Sequence, residues 1–205
     1  MAAPDSMSTL DISGRWTMNK TLSDDTTDVL THVRILLRSP SRPPPAANAQ
    51  QQGVGWLTRN AIYYSTLTLD VKHYKDDAGT EHIDIRQTLT GSVGGTTERR
   101  TLDWAARSHR DHLFGSVVGQ SRRVTDLSII GDAYLENGWD ADGIKDGVVE
   151  SYVVNEENGW SARQIWGFEV IKDEKRYVRH LRFEKDDIML EKKMAYDYVG
   201  PVPAV

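Results

Sequence analysis

Cysteine is absent from this chain of 205 residues, which excludes a disulfide framework, a thiol nucleophile and a thiolate metal site. Also lacking is any apolar run near the ~18 residues of a membrane span. Met1 to Thr9 is polar and has no apolar stretch of the kind that forms a secretory leader. The basic excess of a nucleic-acid-binding surface is missing too: 25 Lys and Arg stand against 30 Asp and Glu, for a net charge of −5. No phosphate loop, nucleophile elbow or dinucleotide fingerprint occurs, so no cofactor is expected. His109 and His112 point in different directions on a strand or loop and have no obvious third ligand, so no metal is expected. Together these absences predict a soluble, cytoplasmic protein with no nucleic-acid partner and no integral membrane segment. They do not define an oligomeric state.

What the chain does have is short alternating segments. Trp16, Met18 and Lys20 share one face of a first strand over Arg15 to Thr21, by the two-residue period of a strand. Ser23-Asp24-Asp25 offers a helix N-cap with acidic first-turn residues, predicting a short helix through Leu30. Pro40 and the Pro43-Pro44-Pro45 run cannot continue it, so 31–52 is expected to be a disordered insert. A second lid helix is expected over Gly53 to Tyr63. Leu67, Leu69, Val71 and His73 then alternate with polar residues, as do Ile83, Ile85, Gln87 and Leu89 beyond the Asp76 to Gly79 turn.

Further strands are predicted over Thr96 to Trp104, His112 to Val118 and Gln120 to Val124. An interruption over 125–147 holds a helix from Ile129 to Asn137, with Trp139 behind it, and a turn at Asp140 to Gly143. Four strands close the chain, over Val148 to Asn155, Arg163 to Ile171, Arg176 to Glu184 and Ile188 to Val199. Residues 1–10 and 201–205 read as tails around a single barrel domain over 11–200. The fold class is all-β, an up-and-down barrel of about ten strands with a short helical lid.

Gly14-Arg15-Trp16, the acidic helix start, and Gly53-Val54-Gly55-Trp56-Leu57-Thr58-Arg59 ahead of a strand meander resemble the intracellular fatty-acid-binding proteins. These are calycins, the superfamily that includes the lipocalins. The resemblance implies a calycin barrel whose cavity takes a small hydrophobic ligand. The family's last strand carries an Arg-x-Tyr that holds a carboxylate. Here Met194 and Tyr196 stand at those positions, so the tyrosine matches and the arginine does not.

A barrel interior is apolar, and inward polar groups must be paired or solvated. The informative residues are therefore polar ones on apolar faces. Glu98 and Arg100 share a face with Leu102 and Trp104, and Arg179 shares one with Tyr177, Leu181 and Phe183. Arg100 and Arg179 are candidate anion anchors, suited to a carboxylate or enolate, and an internal Arg100–Glu98 pair is the structural alternative. Gln87, Tyr152, Trp166, Trp104 and Tyr196 are candidates for the remaining polar and stacking contacts. Trp16 reads as a plug at the barrel base. Two functions fit: binding of a small hydrophobic molecule, or a calycin-fold biosynthetic enzyme that cyclises or isomerises a hydrophobic intermediate by shape, exclusion of water and a few donors.

Overall fold

The computed structural model describes residues 1–29, 66–90, 95–111 and 115–203. The expected second lid helix and the insert 31–52 lie outside these residues. The strands are β1 (Gly14–Met18), β2 (Leu67–Lys75), β3 (Glu81–Leu89), β4 (Gly95–Thr101), β5 (Arg107–Asp111), β6 (Gly115–Val124), β7 (Val148–Asn155), β8 (Trp160–Ile171), β9 (Glu174–Lys185) and β10 (Ile188–Gly200). They form one ten-stranded antiparallel sheet in the order β4-β3-β2-β1-β10-β9-β8-β7-β6-β5. This up-and-down sheet curls into a half-barrel, the all-β architecture expected from the sequence, and it fits a calycin-like barrel.

The two edges meet without a full ladder. Asp103 and Arg122 form an isolated bridge, and Trp104 N–H donates to Ser121 O at 2.8 Å. Side chains complete the closure. Arg100 of β4 reaches Ser121 of β6 and Ser151 of β7, while Arg123 of β6 reaches Glu81 of β3.

The inner face follows the two-residue period. Its closed end holds Ile12, Trp16, Leu69, Val71, Ile83, Ile85, Val149, Trp166, Phe168, Tyr177 and Tyr196. A second inner cluster, Val29, Trp160, Leu181 and Phe183, lies toward the other end. Trp16 is the expected plug: it is fully buried, and its indole N–H donates to Ile12 O at 3.0 Å. The segment read as a loose tail is docked. Ala3 N–H donates to Lys175 O, Thr9 Oγ1 to Gly147 O, and Ile12 N–H to His73 Nδ1.

Several boundaries differ from the sequence reading. The first strand stops at Met18. Ser23 and Asp24 do not cap a helix but bond to the backbone of β10 at Ala195 and Lys193, and the capping contact falls instead to Asp25, which accepts from Thr27 N–H at 2.9 Å. Residues Gly115–Val124 form one strand, not two, with Arg107–Asp111 pairing as its outer neighbour. The helix expected over Ile129 to Asn137 is split. A 3₁₀ turn over Leu127–Ile130 ends at Gly131, whose φ of 68° is left-handed and therefore favours glycine. Helix α1 (Ala133–Glu136) then starts on Asp132, whose carboxylate accepts from Tyr134 and Leu135 N–H. The turn at Asp140 is a single helical turn, α2 (Ala141–Ile144).

This 125–147 segment covers the outer face of the sheet. Val124, Ile130, Leu135, Val148 and Ile165 form a third cluster there, and Trp139 stacks on His180 at 4.1 Å. Glu150 is fully buried beneath it and is clamped by Arg122 and Arg163. Gly143 sits so close to the sheet that an added Cβ would lie 2.4 Å from Phe168 O. Gly143→Ala is therefore expected to cost about 1–3 kcal/mol, read from urea denaturation. Gly119→Ala, whose Cβ would meet nothing nearer than 3.7 Å, is expected to be neutral or to add up to about 1 kcal/mol. Equal losses from both would mean that the 125–147 segment is not seated this tightly.

Candidate functional site

Antiparallel register brings one polar layer together between the two inner apolar clusters. Trp166 of β8 stands opposite Arg179 of β9, which stands opposite Met194 of β10. Across the interior, Glu98 and Arg100 of β4 stand opposite Ile85 and Ile83 of β3. The two-residue period of each strand puts these side chains on the inner face, and Trp166 draws the two halves together by packing against both Arg100 and Arg179.

Arg179 is the centre of the layer. It is 5% exposed, and its Nε–H donates to the Tyr177 hydroxyl at 2.9 Å. Its guanidinium carbon lies 4.1 Å from the centre of the Trp166 ring and 5.4 Å from the rings of Tyr177 and Tyr196. A desolvated cation over an aromatic face gains about 2 kcal/mol, so the aromatic walls hold the charge in place. Its Nη2 is buried and has no hydrogen-bond acceptor among the described residues. Arg100 lies against the same indole, 5.2 Å from its centre. It donates to Glu98 at 2.5 Å and to Ser151 Oγ at 2.7 Å. Gln87 Nε2 donates to the other Glu98 oxygen, and Trp166 Nε1 donates to Gln164 at 3.0 Å.

Charge in this layer is unbalanced. Burial pushes the Glu98 carboxyl up, but the Arg100 and Arg179 guanidiniums and the bonds from Arg100 and Gln87 outweigh it and hold the group below the usual carboxylate range. Burial drives the Tyr177 phenol up to about 12, against the pull of Arg179, and raises Tyr196 in the same way. Both phenols are neutral at physiological pH. Among the described residues, two guanidiniums therefore face one carboxylate. Lys192, also inward, is paired with Asp28 at 2.7 Å and does not change the balance. A buried excess of positive charge with an unused N–H favours an electron-rich oxygen, such as a carbonyl or an enolate.

Five residues singled out from the sequence meet here: Arg100, Arg179, Trp166, Tyr196 and Gln87. Two do not. Tyr152 lies opposite Gln120 and Arg163 and alternates with the inward Ser151, so it faces outward. Trp104 lies past the end of β4 with a φ of 60°, and the Arg122 guanidinium packs over its ring at 4.2 Å. The sequence reading placed Tyr177 and Glu98 on the right faces without assigning them to the site, and it missed Ser121, Ser151 and Gln164. Period-two counting from the inward Val149 would have found Ser151. Among the described residues no group of three or more His, Asp or Glu is placed to hold a metal ion, and no helix is long and apolar enough to cross a membrane.

No protein-family model matches the chain, and no solved structure matches it. Over 203 residues, spanning 98% of this chain and 96% of the relative, the sequence is 28% identical to a protein of Mollisia scopiformis described as the probable pericyclase scpY.

Proposed function

We propose that the protein is an enzyme of the pericyclase type, which folds an apolar, conjugated carbonyl compound inside the half-barrel and speeds its cyclisation. The observation that carries this reading is Arg179, a buried inward guanidinium with aromatic walls and an N–H that has no acceptor among the described residues. The end-to-end similarity to a probable pericyclase supports an enzyme over simple retention of a ligand.

In such a reaction new σ-bonds form from π-bonds of the same molecule. No atom enters or leaves, so no nucleophile, base or cofactor is required. What the protein supplies is confinement and polarisation. Confinement holds the chain near its reactive fold. Polarisation comes from Arg179 Nη2–H donating to the carbonyl oxygen, whose electron density rises in the transition state. A donor already fixed in a desolvated site strengthens as that charge develops. Trp166 and Tyr177 keep the guanidinium from turning away, and Tyr196 adds an aromatic wall.

The test uses extract from source cells that lack the gene, to which the purified protein is added. One compound is expected to disappear over many turnovers, and another of identical mass but different chromatographic retention to appear. Arg179→Met is expected to slow this conversion about ten- to a hundred-fold, the worth of one charge-assisted hydrogen bond. Arg99→Met, on the exposed face of β4, is expected to leave the rate unchanged. If the protein only removes a compound stoichiometrically and releases it unchanged on denaturation, the protein is a binder and the pericyclase reading fails.

A further inference from the structure

Glu98 has two properties that a purely structural partner of Arg100 does not require. Its side chain keeps 31% exposure, against 14% for Arg100 and 5% for the Arg179 residue beside it. It is also held still. Gln87 and Arg100 each take one of its oxygens, and Arg100 is in turn anchored on Ser151 at 2.7 Å and Ser121 at 3.4 Å. A carboxylate offers about four lone-pair positions, and the two described bonds leave acceptor capacity on both oxygens. Its strand, β4, is the edge of the sheet and among the described residues is laddered with β3 alone, so the carboxylate stands beside the seam between β4 and β6.

Resting on the pericyclase reading, we infer that Glu98 is the second polar contact of the substrate: it accepts a hydrogen bond from an O–H or N–H next to the carbonyl that Arg179 holds. The substrate class is then a conjugated carbonyl compound with an adjacent donor, such as an enol or a secondary amide. The site is a fixed donor–acceptor pair, with Arg179 Nη2–H on one side and the Glu98 carboxylate on the other. The Trp166 indole brings the two together: Arg179 lies 4.1 Å from its centre, and Arg100, which holds Glu98, lies 5.2 Å from it. Since the carboxylate is ionised it can only accept, and a head group carrying only acceptors would face it with repulsion. Specificity arises because a bound ligand displaces water from the half-exposed carboxylate, and one without the donor does not replace the lost hydrogen bond.

The test compares two neutral probes with the same apolar body and carbonyl, N-butyl-2-naphthamide and its N-methyl derivative, by isothermal calorimetry. Only the first has an N–H. The wild-type protein is expected to bind the secondary amide about ten-fold more tightly, the worth of a hydrogen bond to a charged group. Glu98→Gln is expected to cut that preference to about three-fold or less, because a neutral amide oxygen is the weaker acceptor. The double variant Glu98→Leu/Arg100→Met removes the pair together and avoids stranding the guanidinium; it is expected to abolish the preference while still binding the N-methyl amide.

Arg179→Met is expected to weaken both probes equally and leave their ratio intact. A ratio unmoved by the Glu98 variants, or equal weakening of both probes by them, would make Glu98 only a clamp for Arg100 and overturn the inference. Absence of secondary-amide binding to the wild type would overturn it as well. Loss of the ratio in the Glu98 variants, with no effect of Arg179→Met on either probe, would instead strike at the carbonyl contact of the pericyclase reading.

Discussion

Trp16→Ala is expected to lower the folding free energy by about 3–5 kcal/mol, enough to leave a domain with an ordinary stability of about 5–15 kcal/mol close to unfolding. The ring is fully buried at the closed end of the half-barrel. It packs against Tyr177, Tyr198 and Phe168 at centroid distances of 5.1, 5.0 and 6.3 Å. Truncation removes the apolar contacts and opens a cavity that rings fixed on three different strands cannot close. It also strands the Ile12 carbonyl that accepts the indole N–H.

The effect should reach the polar layer. Tyr177 leans on Trp16 and accepts the Arg179 Nε–H, so a tilted Tyr177 ring loosens the guanidinium. Trp16→Phe keeps most of the volume but loses the hydrogen bond. It is expected to cost less stability than the alanine variant while still slowing turnover. Urea denaturation measures the first effect, and a loss below about 1 kcal/mol for Trp16→Ala would show that the closed end is not packed around this ring.

The strands that carry the site were legible because their inner and outer faces differ in kind. On β9, Tyr177, Leu181 and Phe183 make one face aromatic and apolar while Arg176, His180 and Arg182 make the other basic around Val178, so Arg179 could be placed inside by its neighbours at period two even though both faces are partly covered. The same holds for Tyr196 on β10 and for Glu98 and Arg100 on β4. Tyr152 failed for a physical reason. Strand β7 is covered on both sides: Val149 belongs to the inner cluster and Val148 to the outer one. A strand buried on two faces shows no alternation, and an aromatic residue on it carries no direction.

Trp104 failed because alternation was extended past the true end of the strand. Asp103 turns to bridge Arg122, and the chain leaves the ladder. Strand β5 was missed since Arg107–Asp111 is an edge strand of polar residues with no apolar face to reveal its period. Gly119 read as a break, but it continues the ladder opposite Val153. The outer cover over 125–147 was located as an interruption, yet its role in burying Glu150 depends on tertiary packing that no local pattern encodes.

Glu81→Gln is expected to cost about 3 kcal/mol at neutral pH, and the deficit should vanish in acid. Glu81 lies at the seam near the closed end, its side chain 13% exposed. It accepts from His73 Nε2 at 2.7 Å and from Arg123 Nε at 3.0 Å. His73 Nδ1 takes the Ile12 N–H, which assigns the ring proton to Nε2, facing the carboxylate. Burial alone would raise the Glu81 carboxyl, but the bonds from His73 and Arg123 and the Arg123 charge prevail and lower it from an ordinary 4.5 to about 2. A difference of this size is worth about 3 kcal/mol at 1.36 kcal/mol per unit. Because the folded value lies below the unfolded one, the stabilisation is fully present above about pH 4.5. It is lost as pH falls from there through about 2. Glu98 and Glu169 are also held low in the folded chain and give the wild-type protein an acid slope of their own. They are common to both proteins, so the difference between wild type and Glu81→Gln isolates this one carboxylate. Urea denaturation at a series of pH values between about 2.5 and 7 reads that difference, and a deficit that stays constant over the whole range would show that the ion pairs across the seam add no net stability.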